Sequence, residues 1–159
     1  MRGRRGRLWV LLGVAGASAL VLVVSLVSVS VAGPNVTRLA VIEHATTDTV
    51  VDLTTNGDST GDLLTFHNEL FDDANEIALG TDQGECVRIE VGVSWECRWI
   101  NFLEGGSITV EGAFFDDGPS ALAITGGTGA YRAARGSMRL VARDAAGTEF
   151  DFVFRILTA

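Results

Sequence analysis

The segment Ile124–Leu140 holds four glycines, Gly126, Gly127, Gly129 and Gly136, between two strand-like runs. Glycine-rich turns can cradle a phosphate, but such loops lead from a strand into a helix, and the Walker form ends in Gly-Lys-Ser/Thr. This chain has no lysine, and its glycines lead into a strand. The sequence therefore indicates a bend that needs positive φ or close backbone approach, and not a nucleotide site.

The two cysteines, Cys86 and Cys97, lie eleven positions apart, which is neither a zinc-ribbon nor a redox spacing. In an exported chain a disulfide is the first expectation, and it would stabilise the fold by roughly 3 kcal/mol. The residues between them form two alternating runs that meet at Val91-Gly92, where a two-residue turn would make a hairpin. The alternative is a free thiol at Cys86 that points into a pocket.

Two polar groups could be taken for metal sites. Asp72, Asp73, Asn75 and Glu76 form an acidic cluster, but the EF-hand spacing is absent and a hairpin turn explains the cluster. His44 and His67 alternate with their neighbours in strand-like runs and are interpreted as surface residues. We therefore expect no metal ligands and no cofactor.

The elements that must position these residues are strands. Eight runs alternate and are enriched in β-branched and aromatic residues: LAVIEHA, LLTFHNELF, ECVRIEV, WECRWINFL, SITVEGAFF, ALAIT, SMRLVARD and TEFDFVFRIL. Short turn-forming separators join them, which favours hairpin after hairpin. The sequence predicts an all-β domain over residues 35–159, an eight-stranded antiparallel β-barrel whose interior holds side chains or one small ligand.

Alternation assigns the faces of these strands. In the last run Phe150, Phe152, Phe154 and Ile156 share one side, which should be the interior. In the fifth run both sides carry apolar residues, because the face of Ile108 opposes a face that contains Phe115. The pattern alone leaves the inner face of that run open.

Residues 1–34 have the composition of an export segment. Four arginines precede an uncharged run from Leu8 to Thr37 that is longer than an ordinary signal core. Its length favours a helix retained as a membrane anchor, whereas Ser30-Val31-Ala32 offers small residues to a signal peptidase. Both the signal peptide and the anchor remain open, and either one predicts an extracytoplasmic barrel, membrane-anchored or secreted.

The charge of the exported part restricts its partners. All 20 acidic residues of the chain lie there and outnumber its eight arginines by twelve. Phosphate binding needs clusters of basic residues, and the sequence shows none, so neither nucleic acid nor anionic lipid headgroups are expected as partners. The simplest interpretation of the acidity is solubility.

Several motifs resemble those of a known family. GDLLTFHNELFD, GTDQGECVRI, SITVEGAFF and LAITGGTGAYRAARGSMRL are similar, in this order, to the allene oxide cyclase and dirigent barrels. The resemblance extends from about Leu39 to Leu157. It implies an eight-stranded barrel with an apolar lumen and no cofactor, which folds a reactive hydrophobic intermediate into one conformer, and it allows a homo-oligomer, dimeric or trimeric.

The resemblance also carries residue roles. It places Phe66, Asn68, Cys86 and Phe114 in the lumen, and it matches Glu43 less closely to a glutamate of the first strand. Glu43 and Asn68 are thus the candidate catalytic residues. The chain departs from the plant cyclases at Ala45, where they carry an asparagine that positions a water, so the plant reaction itself is not expected.

Buried Glu43 would have a raised pKa and could act as an acid or base, or else it is a carboxylate at the rim. If Cys97 pairs with Cys86, then Trp95 and Trp99 also point inward and give the lumen a flat aromatic wall. The candidate substrate-binding residues are therefore Phe66, Cys86, Trp95, Trp99 and Phe114. The aromatic residues among them could equally be core packing.

The leading hypothesis is a cofactor-free cyclase or isomerase that closes a ring in a hydrophobic, polyketide- or oxylipin-like natural-product intermediate. The alternative is a non-catalytic extracytoplasmic barrel that binds a lipophilic small molecule. Both predict a hydrophobic small molecule as partner, held by shape and by one or two polar contacts in a dry cavity.

Overall fold

The computed structural model describes residues 35–54 and 57–158. The predicted leader, residues 1–34, lies outside this range. The described residues form ten strands and no helix, so none of their elements is a helix long and apolar enough to cross a membrane. The strands are β1 (Asn35–His44), β2 (Thr49–Val51), β3 (Leu63–Phe66), β4 (Glu69–Phe71), β5 (Ala78–Glu90), β6 (Ser94–Leu103), β7 (Gly106–Phe115), β8 (Ser120–Gly129), β9 (Arg135–Ala142) and β10 (Glu149–Thr158).

These strands close into a ring in which every pairing is antiparallel. Strand β1 pairs with β10 on one side and β4 on the other, and β5 pairs with β3, β4 and β6. Strands β1 and β2 act as one interrupted strand, and so do β3 and β4. The predicted eight-stranded antiparallel barrel is therefore confirmed, with two of its eight strands broken.

The interior follows the alternation of the sequence. Phe152, Phe154 and Ile156 are buried at 2 % exposure or less, on the side that the last run predicted. The fifth run, which the pattern left open, is resolved because Ile108 and Val110 are fully buried whereas Phe115 is 42 % exposed. Every second side chain along these strands thus packs into a continuous apolar core.

The glycine-rich segment is a close backbone approach, as the sequence indicates. Gly129 has φ 58°, and a Cβ there would lie 2.0 Å from the carbonyl oxygen of Gly105. Gly136 has φ 132°, and a Cβ there would lie 2.0 Å from the carbonyl oxygen of Arg155. Only glycine fits these positions, since the neighbouring atoms are backbone.

Cys86 and Cys97 stand directly opposite each other on β5 and β6 and are joined by a disulfide. The amide of Val93 donates to the carbonyl of Glu90 at 3.0 Å, so Val91 and Gly92 occupy the centre of a β-turn. Pairing resumes only at Glu90 and Ser94, which makes the loop three residues long where the sequence suggested two. A register shift between Arg88 and Glu90 accommodates the extra residue.

Reduction of the disulfide should lower the free energy of unfolding of the barrel, residues 35–159, by about 3 kcal/mol, because it releases a short closed loop in the unfolded chain. Urea unfolding with and without reductant measures the change. A Cys86→Ala/Cys97→Ala double variant is the control and should not respond to reductant. Labelling of two thiols in the unreduced, unfolded protein would contradict the bond.

Candidate functional site at the mouth of the barrel

The two strand breaks lie side by side, and Asn68 joins them. Its Oδ1 accepts hydrogen bonds from the amides of Thr46 and Thr47 at 3.1 and 3.0 Å and from the Thr47 hydroxyl at 3.0 Å. Its backbone exchanges two hydrogen bonds with the backbone of Asp82. Asn68 therefore replaces, with its side chain, the strand pairing that is lost where β1 and β3 end.

The amide nitrogen of Asn68 turns the other way and holds two carboxyl groups. It donates to Glu43 Oε1 at 2.9 Å and to Asp48 Oδ1 at 2.7 Å. Both amide hydrogens are thus used by the protein, which leaves Asn68 no donor for a bound molecule. The contacts make Asn68 a residue that positions Glu43.

Glu43 and Asp82 form a buried carboxyl pair. Glu43 is 5 % exposed and Asp82 is fully buried, and their carboxyl groups lie close enough for each to shift the pKa of the other. Burial, and then the charge of Asp82, raise the pKa of Glu43 well above its ordinary value. Burial also raises the pKa of Asp82 to about 7, against the opposing effect of its hydrogen bonds. Glu43 therefore holds its proton more firmly than an ordinary glutamate, and Asp82 is the adjacent acceptor for that proton.

Glu43 faces a small pocket in the lumen. Glu43 and Asp48 are its polar lining residues; the remaining walls are Leu64, Phe66, the Cys86–Cys97 disulfide, Trp99, Phe114, Leu140, Phe150 and Phe152. Its volume is only about 40 Å³, whereas pockets for small molecules usually measure ~300–1,000 Å³. The expected open bore is therefore mostly filled by the protein's own side chains, and the lumen pocket has room for about one water.

Aromatic rings occupy this space. The Phe66 and Trp99 rings meet edge to face at 5.9 Å, and the Trp99 and Phe152 rings lie 5.7 Å apart. Phe114 and Phe150 meet edge to face at 6.0 Å. Such contacts are typical of packed cores, so the interpretation of these residues as core packing holds for most of the bore.

A second, larger space adjoins the lumen pocket at the end of the barrel. This mouth cleft has a volume of about 510 Å³ and is lined by residues 114–119, 140–142 and 144–147 together with Phe150. Three of its lining residues, Phe114, Leu140 and Phe150, also line the lumen pocket. The Phe114–Phe150 pair is therefore the partition between the two spaces.

The sequence-predicted residues converge only in part. Glu43, Phe66, Cys86, Trp99 and Phe114 line the lumen pocket, with Cys86 contributing as a disulfide and not as a free thiol. Asn68 stands behind Glu43.

Trp95 is buried but does not line the lumen pocket. Its Nε1 donates to Asp116 at 3.1 Å, and the Arg88 guanidinium lies 3.9 Å from its ring centroid. This hydrogen bond and the stacked guanidinium account for the burial of Trp95, and its contact with a substrate stays a prediction.

Sequence reasoning missed Asp82, the partner of Glu43. The signal was present, because Asp82, Gly84 and Cys86 alternate on one strand and must share a face. Once Cys86 is assigned to the lumen, Asp82 must be assigned to the lumen as well.

Within residues 35–54 and 57–158, no group of three or more His, Cys, Asp or Glu side chains is arranged to hold a metal ion.

Comparison with known proteins identifies the domain type. Residues 40–151 match the family model described as "Allene oxide cyclase barrel like domain". Among solved structures, a pyocyanin demethylase is 21 % identical with a TM-score of 0.64, covering 74 % of this chain and 100 % of its own. The pterocarpan synthase dirigent protein GePTS1 is 18 % identical with a TM-score of 0.62, covering 85 % of this chain and 96 % of its own. AbnU, an exo-specific intermolecular Diels-Alderase, is 16 % identical with a TM-score of 0.63, covering 78 % and 99 %. At these identities the structures show a common fold.

The carboxyl pair should make the barrel less stable as the pH rises. Because the pKa values of Glu43 and Asp82 are raised on folding, the folded state binds more protons between about pH 4 and pH 7, and its stability falls through that window. We expect the free energy of unfolding of residues 35–159 to decrease between pH 5.5 and pH 8.5 by a few kcal/mol, at about 1.4 kcal/mol per pKa unit.

Glu43→Gln is the matched variant, since its amide can accept from Asn68 and donate to Asp82 without titrating. It should fold as stably at pH 5.5 and lose less stability at pH 8.5. Asp62, Asp72 and Asp144 do not confuse the result, because their pKa values are lowered by hydrogen bonds and their contribution disappears only in more acidic solution. An equal slope for the variant and the native barrel would contradict the assignment.

Removal of the Asn68 side chain should destabilise the barrel strongly. Asn68→Ala eliminates five side-chain hydrogen bonds and leaves Glu43 without its donor, a loss of roughly 2–5 kcal/mol. Asn75→Gly is the control, because it removes an asparagine that bonds His44 near the surface and keeps the φ of 61° accessible. Urea unfolding should show a loss below about 1 kcal/mol for the control. Equal losses of stability in the two variants would contradict the role of Asn68 in holding the two strand breaks together.

Proposed function

The chain belongs to the allene oxide cyclase barrel-like family, and on that premise we propose that it binds a small hydrophobic molecule at the barrel mouth and guides its rearrangement without a cofactor. The observation that carries the proposal is the buried Glu43 carboxyl, whose pKa is raised by burial, at an apolar pocket. A buried acid with a strongly perturbed pKa beside a cavity is characteristic of functional sites.

The volumes of the two pockets favour the mouth cleft as the position of the guest. The lumen pocket, at about 40 Å³, accepts no more than a small group, whereas the mouth cleft, at about 510 Å³, has the size of an ordinary ligand site. The body of the guest therefore occupies the mouth cleft. One end of it passes the Phe114–Phe150 partition toward Glu43, which requires rotation of those two rings.

The chemistry rests on the carboxyl pair. Glu43 lines the lumen pocket whereas Asp82 is fully buried behind it, so the proton that the raised pKa of Glu43 retains is the one that can reach an oxygen atom of the guest. As a general acid, Glu43 donates that proton to the oxygen as electrons shift in the closing ring and recovers it when the product forms. Apolar walls hold the reacting carbons together and exclude water.

This scheme leaves the substrate and the type of ring closure unassigned. The similar structures carry the names demethylase, pterocarpan synthase dirigent protein and Diels-Alderase, which are three different chemistries on one fold. The fold therefore supports a small-molecule site without specifying a reaction.

A second candidate is a binding barrel without catalysis. The filled lumen favours it, because a pocket of about 40 Å³ cannot enclose a whole reacting intermediate. In this alternative the mouth cleft carries a lipophilic molecule, and the Glu43–Asn68–Asp82 network only braces the two strand breaks. The two candidates differ in what Glu43→Gln does to turnover.

Binding at the mouth should be sensitive to the lumen pocket. Leu64→Trp fills the pocket from inside, whereas Thr65→Trp adds the same side chain at an exposed, outward position. We expect residues 35–159 to bind the neutral probe Nile red, the first variant to lose at least tenfold in affinity, and the second to keep it. Circular dichroism checks that both variants fold.

Glu43→Gln then separates the candidates. In extracts of the source organism analysed by mass spectrometry, a cyclase should alter a bound lipophile and Glu43→Gln should bind it unaltered. If both proteins release the lipophile unchanged, the barrel is a carrier. Equal Nile red affinity in the two tryptophan variants would refute the passage of the guest past Phe114 and Phe150 into the lumen pocket.

A further inference from the structure

Three arginines converge on one outer wall of the barrel. Strands β8, β9, β10 and β1 are consecutive neighbours, and their outward side chains include Arg139, Arg155 and Arg38. Arg38 stands directly opposite Arg155, and Arg139 stands opposite Val153 on the same wall. We call Arg38, Arg139 and Arg155 the arginine wall. It could not be seen in the sequence, because its members lie as far apart as positions 38 and 155.

The arginine wall lacks the acidic partners that other arginines have. Arg88 is paired with Asp58 and Asp116, and Arg143 is paired with Glu149 and Asp151.

Arg98 lies between Glu85 and Glu111 on the neighbouring strands. By contrast, no carboxylate among the described residues forms an ion pair with the arginine wall. Like charges directly opposite each other weaken a sheet, so Arg38 and Arg155 are placed there at a cost to stability.

A groove accompanies these charges. It has a volume of about 600 Å³ and is lined by the arginine wall together with small or apolar residues such as Val36, Ala121 and Val153. Guanidinium groups on long aliphatic stems beside apolar side chains suit an amphipathic surface that presents anionic oxygen atoms. Phosphate oxygens are the natural partners of such groups, since arginine binds them through two hydrogen bonds.

We propose that the arginine wall docks on the anionic headgroups of the membrane that holds the leader. Arg38 follows the hydrophobic residues 8–34 by only four positions, so an inserted leader tethers this wall to the bilayer. Tethering replaces a bimolecular encounter by an effective concentration in the millimolar range, and a weak charge contact then suffices. The docking rests on retention of the leader as an anchor.

The acidity of the domain does not oppose this docking. Glu85 lies on β5, on the other side of the ring from β9. Glu111 on β7 stands opposite Ala123 at the edge of the wall, but its other neighbour is Arg98. Asp151 on β10 is paired with Arg143. Charges separated by more than the Debye length, about 8 Å at physiological salt, are largely screened. The local sign of the wall therefore favours the contact, and on this point the proposal departs from the expectation drawn from the sequence that headgroups are not partners.

The test places the full-length chain in lipid nanodiscs made of phosphatidylcholine alone or mixed with phosphatidylglycerol. A donor fluorophore on Ala123→Cys, an exposed position on β8 of the same wall, reports energy transfer to an acceptor dye on the headgroups. Transfer should be high only in the anionic discs and should fall at high salt. Arg139→Gln/Arg155→Gln should lower the docked-to-undocked ratio about 25-fold, at about fivefold per arginine.

The matched control is Arg98→Gln/Arg132→Gln, which removes the same charge from exposed arginines outside the groove. It should dock like the native chain. The proposal is overturned by equal transfer in both kinds of disc, by equal effects of the two double variants, or by failure of the full-length chain to enter nanodiscs. Displacement by excess glycerol phosphate would identify a small-anion site instead. Loss of a dimer in Arg139→Gln/Arg155→Gln would identify a second copy as the occupant.

Discussion

Closure of the sheet into a ring is the constraint on which the rest of this structure depends. In an eight-stranded barrel every second side chain must enter a bore that is just wide enough for side chains to fill. The register leaves no freedom in this assignment, because a shift by one residue would exchange the two faces of a strand. The same constraint that buries Phe152, Phe154 and Val110 also buries Glu43, Asn68, Asp82 and Asn101. It also turns Arg38 and Arg155 outward.

Polar groups inside such a bore are costly. Within the described residues, Asp82 Oδ2, Trp99 Nε1 and Asn101 Oδ1 are buried without a hydrogen-bond partner. A proton on Glu43 supplies a hydrogen-bond donor for the unpartnered oxygen of Asp82. It also removes the repulsion between two charged carboxylates that are buried side by side. Asn68 then performs two tasks, since it closes both strand breaks and fixes Glu43. Stability and the proposed chemistry therefore share residues, and isosteric variants are needed to separate them.

The sequence predicts the barrel because its eight runs alternate, although the fifth does so imperfectly, and because turn-forming residues bound them. It also indicates the Cys86–Cys97 pairing, since the two runs between them have the lengths of a hairpin. It does not predict the strand breaks at residues 45–48 and 67–68, because side-chain hydrogen bonds to Asn68 keep the broken strands in line. Nor does it predict that the bore is filled. Whether inward aromatic rings pack together or leave a cavity depends on their rotamers in three dimensions, which alternation does not specify.

The arginine wall is a positively charged surface that the acidic composition of the domain does not predict. Carboxylates outnumber arginines by twelve in residues 35–159, so a random distribution would leave few arginines without an acidic neighbour. Alternation, however, forces the residues beside Leu39, Phe154 and Met138 to face outward, and those residues are largely arginine or small. An acidic side chain at position 137 or 153 would have neutralised the wall, yet serine and valine occupy these positions. The net charge of the domain is thus a poor guide to its partners, because an antiparallel sheet can gather on one surface the few cations that the sequence disperses.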